Sequence, residues 1–161
     1  MSLNAVRFVF LLLLGLLVGT MFGIWVGFDP MGLSPTTYVE QQQNAIRSLN
    51  TLLPVMGAAC IVLAVWLIAV AKNEGRTRLL LVATVVCLLV AAVVTRLCNQ
   101  PINAVVITWN AQSPPPQWAQ LRAEWWQWHI VRTVAGIAGL SFALVAILWS
   151  KATGLQLRDA A

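Results

Sequence analysis

Carboxylates are scarce in this chain. Five aspartates and glutamates stand against ten lysines and arginines, one histidine and one tyrosine in 161 residues. A single imidazole without a cluster of acids gives too few ligands for a firm protein-built zinc or di-iron centre. The three cysteines, Cys60, Cys87 and Cys98, show no CxxC spacing, so a disulfide framework or thiolate metal site has little basis. Buried free thiols packing as small apolar groups are the expectation. Phosphate-binding glycine loops, a dinucleotide fingerprint, a GxSxG elbow and an HExxH helix are all missing. Charge itself is short, at 9% of residues against about 25% in soluble domains.

What fills the chain instead is hydrocarbon. Apolar residues make up 60% and the mean hydropathy is +0.81. Four segments, 8–28, 52–71, 79–98 and 129–149, are long and apolar enough to cross a bilayer core that needs about 20 helical residues. The fold class expected is all-α, an integral membrane four-helix bundle forming one transmembrane domain over residues 1–161. The first segment exceeds the 7 to 15 apolar residues of a signal peptide and shows no small-residue cleavage site, so it is read as retained. It carries Gly15, Gly19, Gly23 and Gly27, a small residue every fourth position. That spacing suits a packing seam, within the bundle or against a second copy.

Positive residues in short loops stay on the cytoplasmic side. Arg7, Lys72, Arg76, Arg78, Lys151 and Arg158 fall on one side, and only Arg47, Arg96, Arg122 and Arg132 on the other. Both termini are therefore expected in the cytoplasm, with the protein in a bacterial inner membrane. The net charge of +5 is largely this topogenic signal, and no nucleic acid partner is implied.

The segments on the opposite side carry the polar residues. Ser34 before Pro35 reads as a helix start, hydroxyl cap then proline. From there one helix is expected to run through Tyr38, Gln41 and Gln42 into the second span, kinked at Pro54. In KNEGRTR, Gly75 is expected at the turn. The third span should kink or break at Pro101, which has no N–H and clashes with the preceding turn. Ser113 is expected to cap a fourth helix that starts among Pro114–Pro116 and runs about 35 residues, well beyond the usual 8–20.

The stretch WAQLRAEWWQWHIVR, residues 118–132, concentrates the remaining chemistry. At about 100° per residue, Trp118, Arg122, Trp125, His129, Arg132 and Gly136 fall within an arc of about 80°, with Glu124 almost opposite. An interfacial aromatic belt accounts for Trp109, Trp126, Trp128 and Trp149, and arginines near helix ends can snorkel to headgroups. Charged groups on one face near membrane depth are nonetheless costly unless they face a bundle interior. The stripe is therefore expected to line a polar cavity with Arg96, Asn99 and Asn103 from the third span. Aromatic faces suit a flat ligand. Arginines and asparagines suit oxygen atoms that develop negative charge, and a neutral imidazole can accept a proton.

NQPIN, Asn99–Asn103, followed by the pattern of Trp118, Arg122, Trp125, Trp128, His129 and Arg132, resembles the anthrone oxygenase family, small four-span membrane proteins. The likeness extends more loosely to the glycine-bearing first span and to Tyr38–Gln42. It implies oxidation of a planar aromatic, quinone-like molecule by dioxygen as co-substrate, without a conventional redox cofactor. His129 would then be the base and Arg122 and Arg132 the oxyanion stabilisers. Asn99 and Asn103 would orient the ligand and Trp118 and Trp125 would stack on it, with Arg96, Tyr38, Gln41 and Gln42 nearby. Two alternatives stay open: a haem- or quinone-binding electron-transfer protein with His129 as iron ligand, and a non-catalytic accessory subunit.

Overall fold

The computed structural model describes residues 2–159, with side chains through Ser150. Lys151 and Arg158, used in the orientation argument, thus lie outside the described side chains. Among the described residues every regular element is helical. The helices are α1 (Leu3–Gly27), α2 (Pro35–Leu49), α3 (Leu52–Val70), α4 (Gly75–Val94), α5 (Gln100–Val106) and α6 (Trp118–Asp159). Four membrane-spanning stretches, Leu3–Gly32, Leu52–Val70, Gly75–Val106 and Trp118–Ser150, make this an integral membrane four-helix bundle.

The bundle closes as a ring, α1 packing on α3 and α6, and α4 on α3 and α6. On α1, Val6, Phe10, Leu14, Leu17, Val18 and Met21 are buried at helical spacing, while Phe8, Leu12 and Leu16 point outward. Outward apolar side chains carry no cost where the surroundings are acyl chains, which is why the chain can be apolar on every side. The α1 glycines do not serve the bundle. A Cβ at Gly15, Gly19, Gly23 or Gly27 would meet nothing within 4 Å, so the stripe faces away from the other helices. The close approach occurs between α4 and α6 instead. There a Cβ on Gly139 would lie 3.2 Å from Cys87 Cβ, and the Thr84 hydroxyl donates to the Gly139 carbonyl at 3.2 Å. The three cysteines are free, Cys60 fully buried.

At the end carrying the termini, Arg7 donates to Ser150 at 2.7 Å and the Arg76 guanidinium lies 3.8 Å above the Trp149 ring. Residues 71–74 make the turn there, through the Glu74 N–H on the Ala71 carbonyl. Gly75 is the first residue of α4 rather than the turn itself.

The opposite end departs from a plain bundle in three ways. First, the expected continuous second helix is broken at Asn50–Thr51. Pro54 cannot donate to the Asn50 carbonyl, and proline is tolerated only in a helix's first turn, so α3 restarts at Leu52. Ser34 does cap α2, accepting from the Thr37 N–H at 3.3 Å. Second, the third span neither breaks nor ends at Pro101. It widens into a π-helical turn over Thr95–Asn99, with the Gln100 N–H reaching the Thr95 carbonyl, and continues as α5. One extra residue in the turn makes room for the proline ring. Third, α6 begins at Trp118 and not among the prolines: the Trp118 N–H closes a turn on the Pro115 carbonyl.

Candidate functional site

The inward half of the α6 stripe sets the site's centre. Trp125, His129 and Arg132 are buried, and the imidazole is fully enclosed. It stacks on Trp125 at 5.1 Å between centroids, 5° from parallel, and on Trp126 at 5.6 Å. Arg132 directs Nε and an Nη at the same imidazole nitrogen, Nδ1, at 3.2 and 2.9 Å. A guanidinium can only donate, so Nδ1 accepts and the proton sits on Nε2, which donates to the Met21 carbonyl at 3.0 Å. The Thr133 hydroxyl donates to the His129 carbonyl at 2.7 Å. His129 is thereby fixed as a neutral imidazole whose accepting nitrogen faces Arg132.

Two cavities meet at that arginine. The upper, about 420 Å³, lies beneath α2. Its walls include Gln41, Gln42, Asn50, Asn103, Trp125 and Arg132, with Ile24 and Phe28 closing the α1 side. The lower, about 260 Å³, is mainly apolar and lies between α1, α3, α4 and α6, with Thr95, Arg96, Gln100 and Arg132 as its polar residues. Leu53, Pro54, Thr95 and Arg132 border both. The π-turn brings Thr95 to this junction, where its hydroxyl accepts from Arg132 at 3.4 Å. Five guanidinium N–H groups less these three contacts leave two uncommitted, on a residue that borders both cavities. No residue lining either cavity is acidic.

Above Arg132 the upper cavity has a polar wall built by three elements. Gln42 on α2 donates to Asn103 on α5 at 3.3 Å, and Asn103 donates to Asn50 at the α2–α3 break at 2.9 Å. Gln43 locks α2 to the end of α5 by donating to the carbonyls of Val106 and Trp109. The Asn99 amide donates to the Trp125 carbonyl at 3.0 Å, which holds the π-turn against α6. Buried Gln42 Oε1 and the Trp125 indole N–H have no protein partner. Buried polar atoms are rarely left unpaired, and both residues line a space that falls within the roughly 300–1,000 Å³ of small-molecule sites.

The outward half of the stripe does something else. Arg122 lies ten residues before Arg132, about 15 Å along the axis at 1.5 Å per residue, and does not share the cavity. It donates to the carbonyls of Pro30 and Met31 at 3.2 and 3.3 Å and lies over the Trp118 ring at 4.6 Å. Trp118 in turn meets Tyr38 at 6.2 Å. These three staple the α1–α2 connection onto α6 and are not among the residues lining either cavity. Burial pushes the Tyr38 hydroxyl up to about 12, partly opposed by the Arg122 charge. Arg96 is exposed at the rim of the lower cavity.

An iron in either cavity would meet the guanidinium of Arg132 before the imidazole, because His129 lines neither and both its nitrogens are engaged. Sequence reasoning did not find Thr95, Asn50, Thr133 or the stacking role of Trp126. The last two were recoverable: they lie four after and three before His129 and share its helix surface.

A family model described as anthrone oxygenase matches residues 43–142. That stretch runs from the middle of α2 to the middle of α6 and includes Asn50, Thr95, Asn99, Asn103, Trp125, His129 and Arg132. No curated protein and no solved structure matches the chain.

Proposed function

The chain belongs to the anthrone oxygenase family, and from that premise we propose that it is a membrane oxygenase acting on a planar aromatic molecule with an acidic C–H, bound in the upper cavity at the extracytoplasmic side. One observation carries the reading: Arg132, a buried guanidinium with two unused donors, borders a cavity that offers it no carboxylate. A buried charge without a counterion is expensive, and an anionic ligand oxygen is the partner that would complete it.

The chemistry follows from an anthrone-like substrate. Its carbonyl oxygen takes the free donors of Arg132, and the rings lie against Trp125. As the guanidinium turns toward the ligand it gives up its bonds to Nδ1 of His129, and in the same movement the imidazole, which lines neither cavity at rest, comes to the chamber wall and accepts the proton from the carbon opposite the carbonyl. The charge of the resulting carbanion moves onto oxygen, beside Arg132, where donors aimed at developing charge contribute most. That electron-rich anion passes an electron to dioxygen, and the pair combine in a C–O bond. Reprotonation gives a hydroperoxide, and loss of water, with the second proton from the same carbon, leaves the new carbonyl. One anthrone and one dioxygen give one anthraquinone and one water. The protein's share is a base, anion stabilisation and exclusion of water.

Dioxygen uptake by the purified protein with an anthrone tests this. Arg132→Gln should lower turnover by about 100-fold or more, the loss typical of an oxyanion donor. His129→Ala should lower it comparably while the bundle stays folded by circular dichroism. Full turnover in folded Arg132→Gln would reject the proposal.

A further inference from the structure

The lower cavity has no part in that chemistry, yet it adjoins the site that does, sharing Leu53, Pro54, Thr95 and Arg132 with it. It exists because small residues replace large ones where α3, α4 and α6 face it: Gly57, Ala58, Ala91, Ala92 and Gly136 all lie on its wall. Ala58 on α3 and Ala92 on α4 are also exposed, so the cavity opens beside them between α3 and α4, within the membrane-spanning stretches. From Leu53 to Ile61 it follows about 12 Å of α3, at 1.5 Å per residue. At its top stand the four residues shared with the polar chamber.

Resting on the functional reading above, we propose that the two cavities form one bent site for a single amphiphile. Its oxygen-bearing planar head sits against Arg132 in the upper chamber, and its hydrocarbon tail lies in the lower chamber, reaching the bilayer between α3 and α4. A substrate without a tail would leave the lower chamber unfilled. The tail gains little affinity from this, because a lipid interior is as apolar as the chamber. Its effect is on position: a tail anchored below Arg132 fixes the head's orientation and admits substrate from the membrane.

Position is therefore what the experiment reads. The full-length protein in phosphatidylcholine nanodiscs is irradiated with an anthrone bearing a decyl chain tipped with a diazirine. A second sample receives the same anthrone with the diazirine on a methyl group, and a third receives phosphatidylcholine with a diazirine in its acyl chain. Peptide mass spectrometry locates the label. The tail probe should mark α3 and α4 around Ala58, Ile61 and Ala92. Excess unlabelled decyl anthrone should reduce this at least tenfold, and the methyl probe should mark the upper chamber around Gln42 and Trp125.

Gly57→Leu should remove the tail label and keep the head label. A Cβ there meets only Leu17 Cδ2, at 3.8 Å, so the larger residue fills space without forcing helices apart. Ala92→Phe is the second plug should the first not fold. Tail label spread over all four helices, without competition, would overturn the proposal while head labelling upheld the functional reading. So would acyl-chain labelling of the same slot that decyl anthrone does not displace, which would make the chamber a lipid site. Absence of head label from both anthrones would sink the two readings together.

Discussion

Arg132 and Arg122 illustrate how the same side chain, one face of one helix, can serve opposite ends. Arg122 finds backbone carbonyls in the α1–α2 connection; Arg132 finds an imidazole, a hydroxyl and open space. Arg122→Gln should accordingly destabilise the protein by about 0.5–1.5 kcal/mol, the net worth of a hydrogen bond at carbonyls that water can still reach, read as a lower thermal midpoint with a smaller loss of turnover than Arg132→Gln shows. Tyr38 offers a cleaner reading, since it is the only tyrosine in the chain. Tyrosinate absorbance should titrate near 12 in the folded protein and near 10 once unfolded. Because the folded value is the higher, this hydroxyl's contribution to stability is complete below pH 10 and is lost as pH rises toward 12. Tyr38→Phe should remove that part of the alkaline decline. A folded-state midpoint at 10 would contradict the burial. At this scale the sequence showed which side chains share a face. It could not show how far along the face the cavity extends, because that depends on where α2 and the π-turn arrive from elsewhere in the chain.

Among the elements, α4 and α6 form the tightest pair, and Gly139 is the reason. Gly139→Val should push the helices apart against Cys87 and cost about 1–3 kcal/mol, in the range of overpacked cores, whereas the same change at Gly19 should cost little, since nothing lies within 4 Å. Thermal unfolding of the two variants in the same detergent would check this; equal losses would contradict the assignment of the seam. The four spans were legible from hydropathy alone, because a run of apolar residues long enough for a bilayer has few other meanings. Their packing order was not. A glycine every fourth residue in α1 is the same pattern whether it meets a helix or lipid. On α6, where glycines do not recur every fourth residue, Gly139 makes the closest contact.

On the scale of the whole molecule, the main apolar core fills the bundle toward the end with the termini, and the upper cavity lies at the other, beneath α2. The packed core and the candidate site thus occupy different halves of the same four helices. The hinge between them is the wide turn at Thr95–Asn99, which holds one residue more than an α-helical turn of the same rise would need. Leu97, largely exposed there, could be deleted to close it: the surplus residue goes, the turn returns to i→i−4 bonding, and α5 keeps its facing. Asn103 would stay beneath α2, while Thr95 and Asn99, which the wide turn sets against Arg132 and the Trp125 carbonyl, would lose that spacing. Such a protein should still insert into membranes and fold, yet hold its buried guanidinium in a different grip.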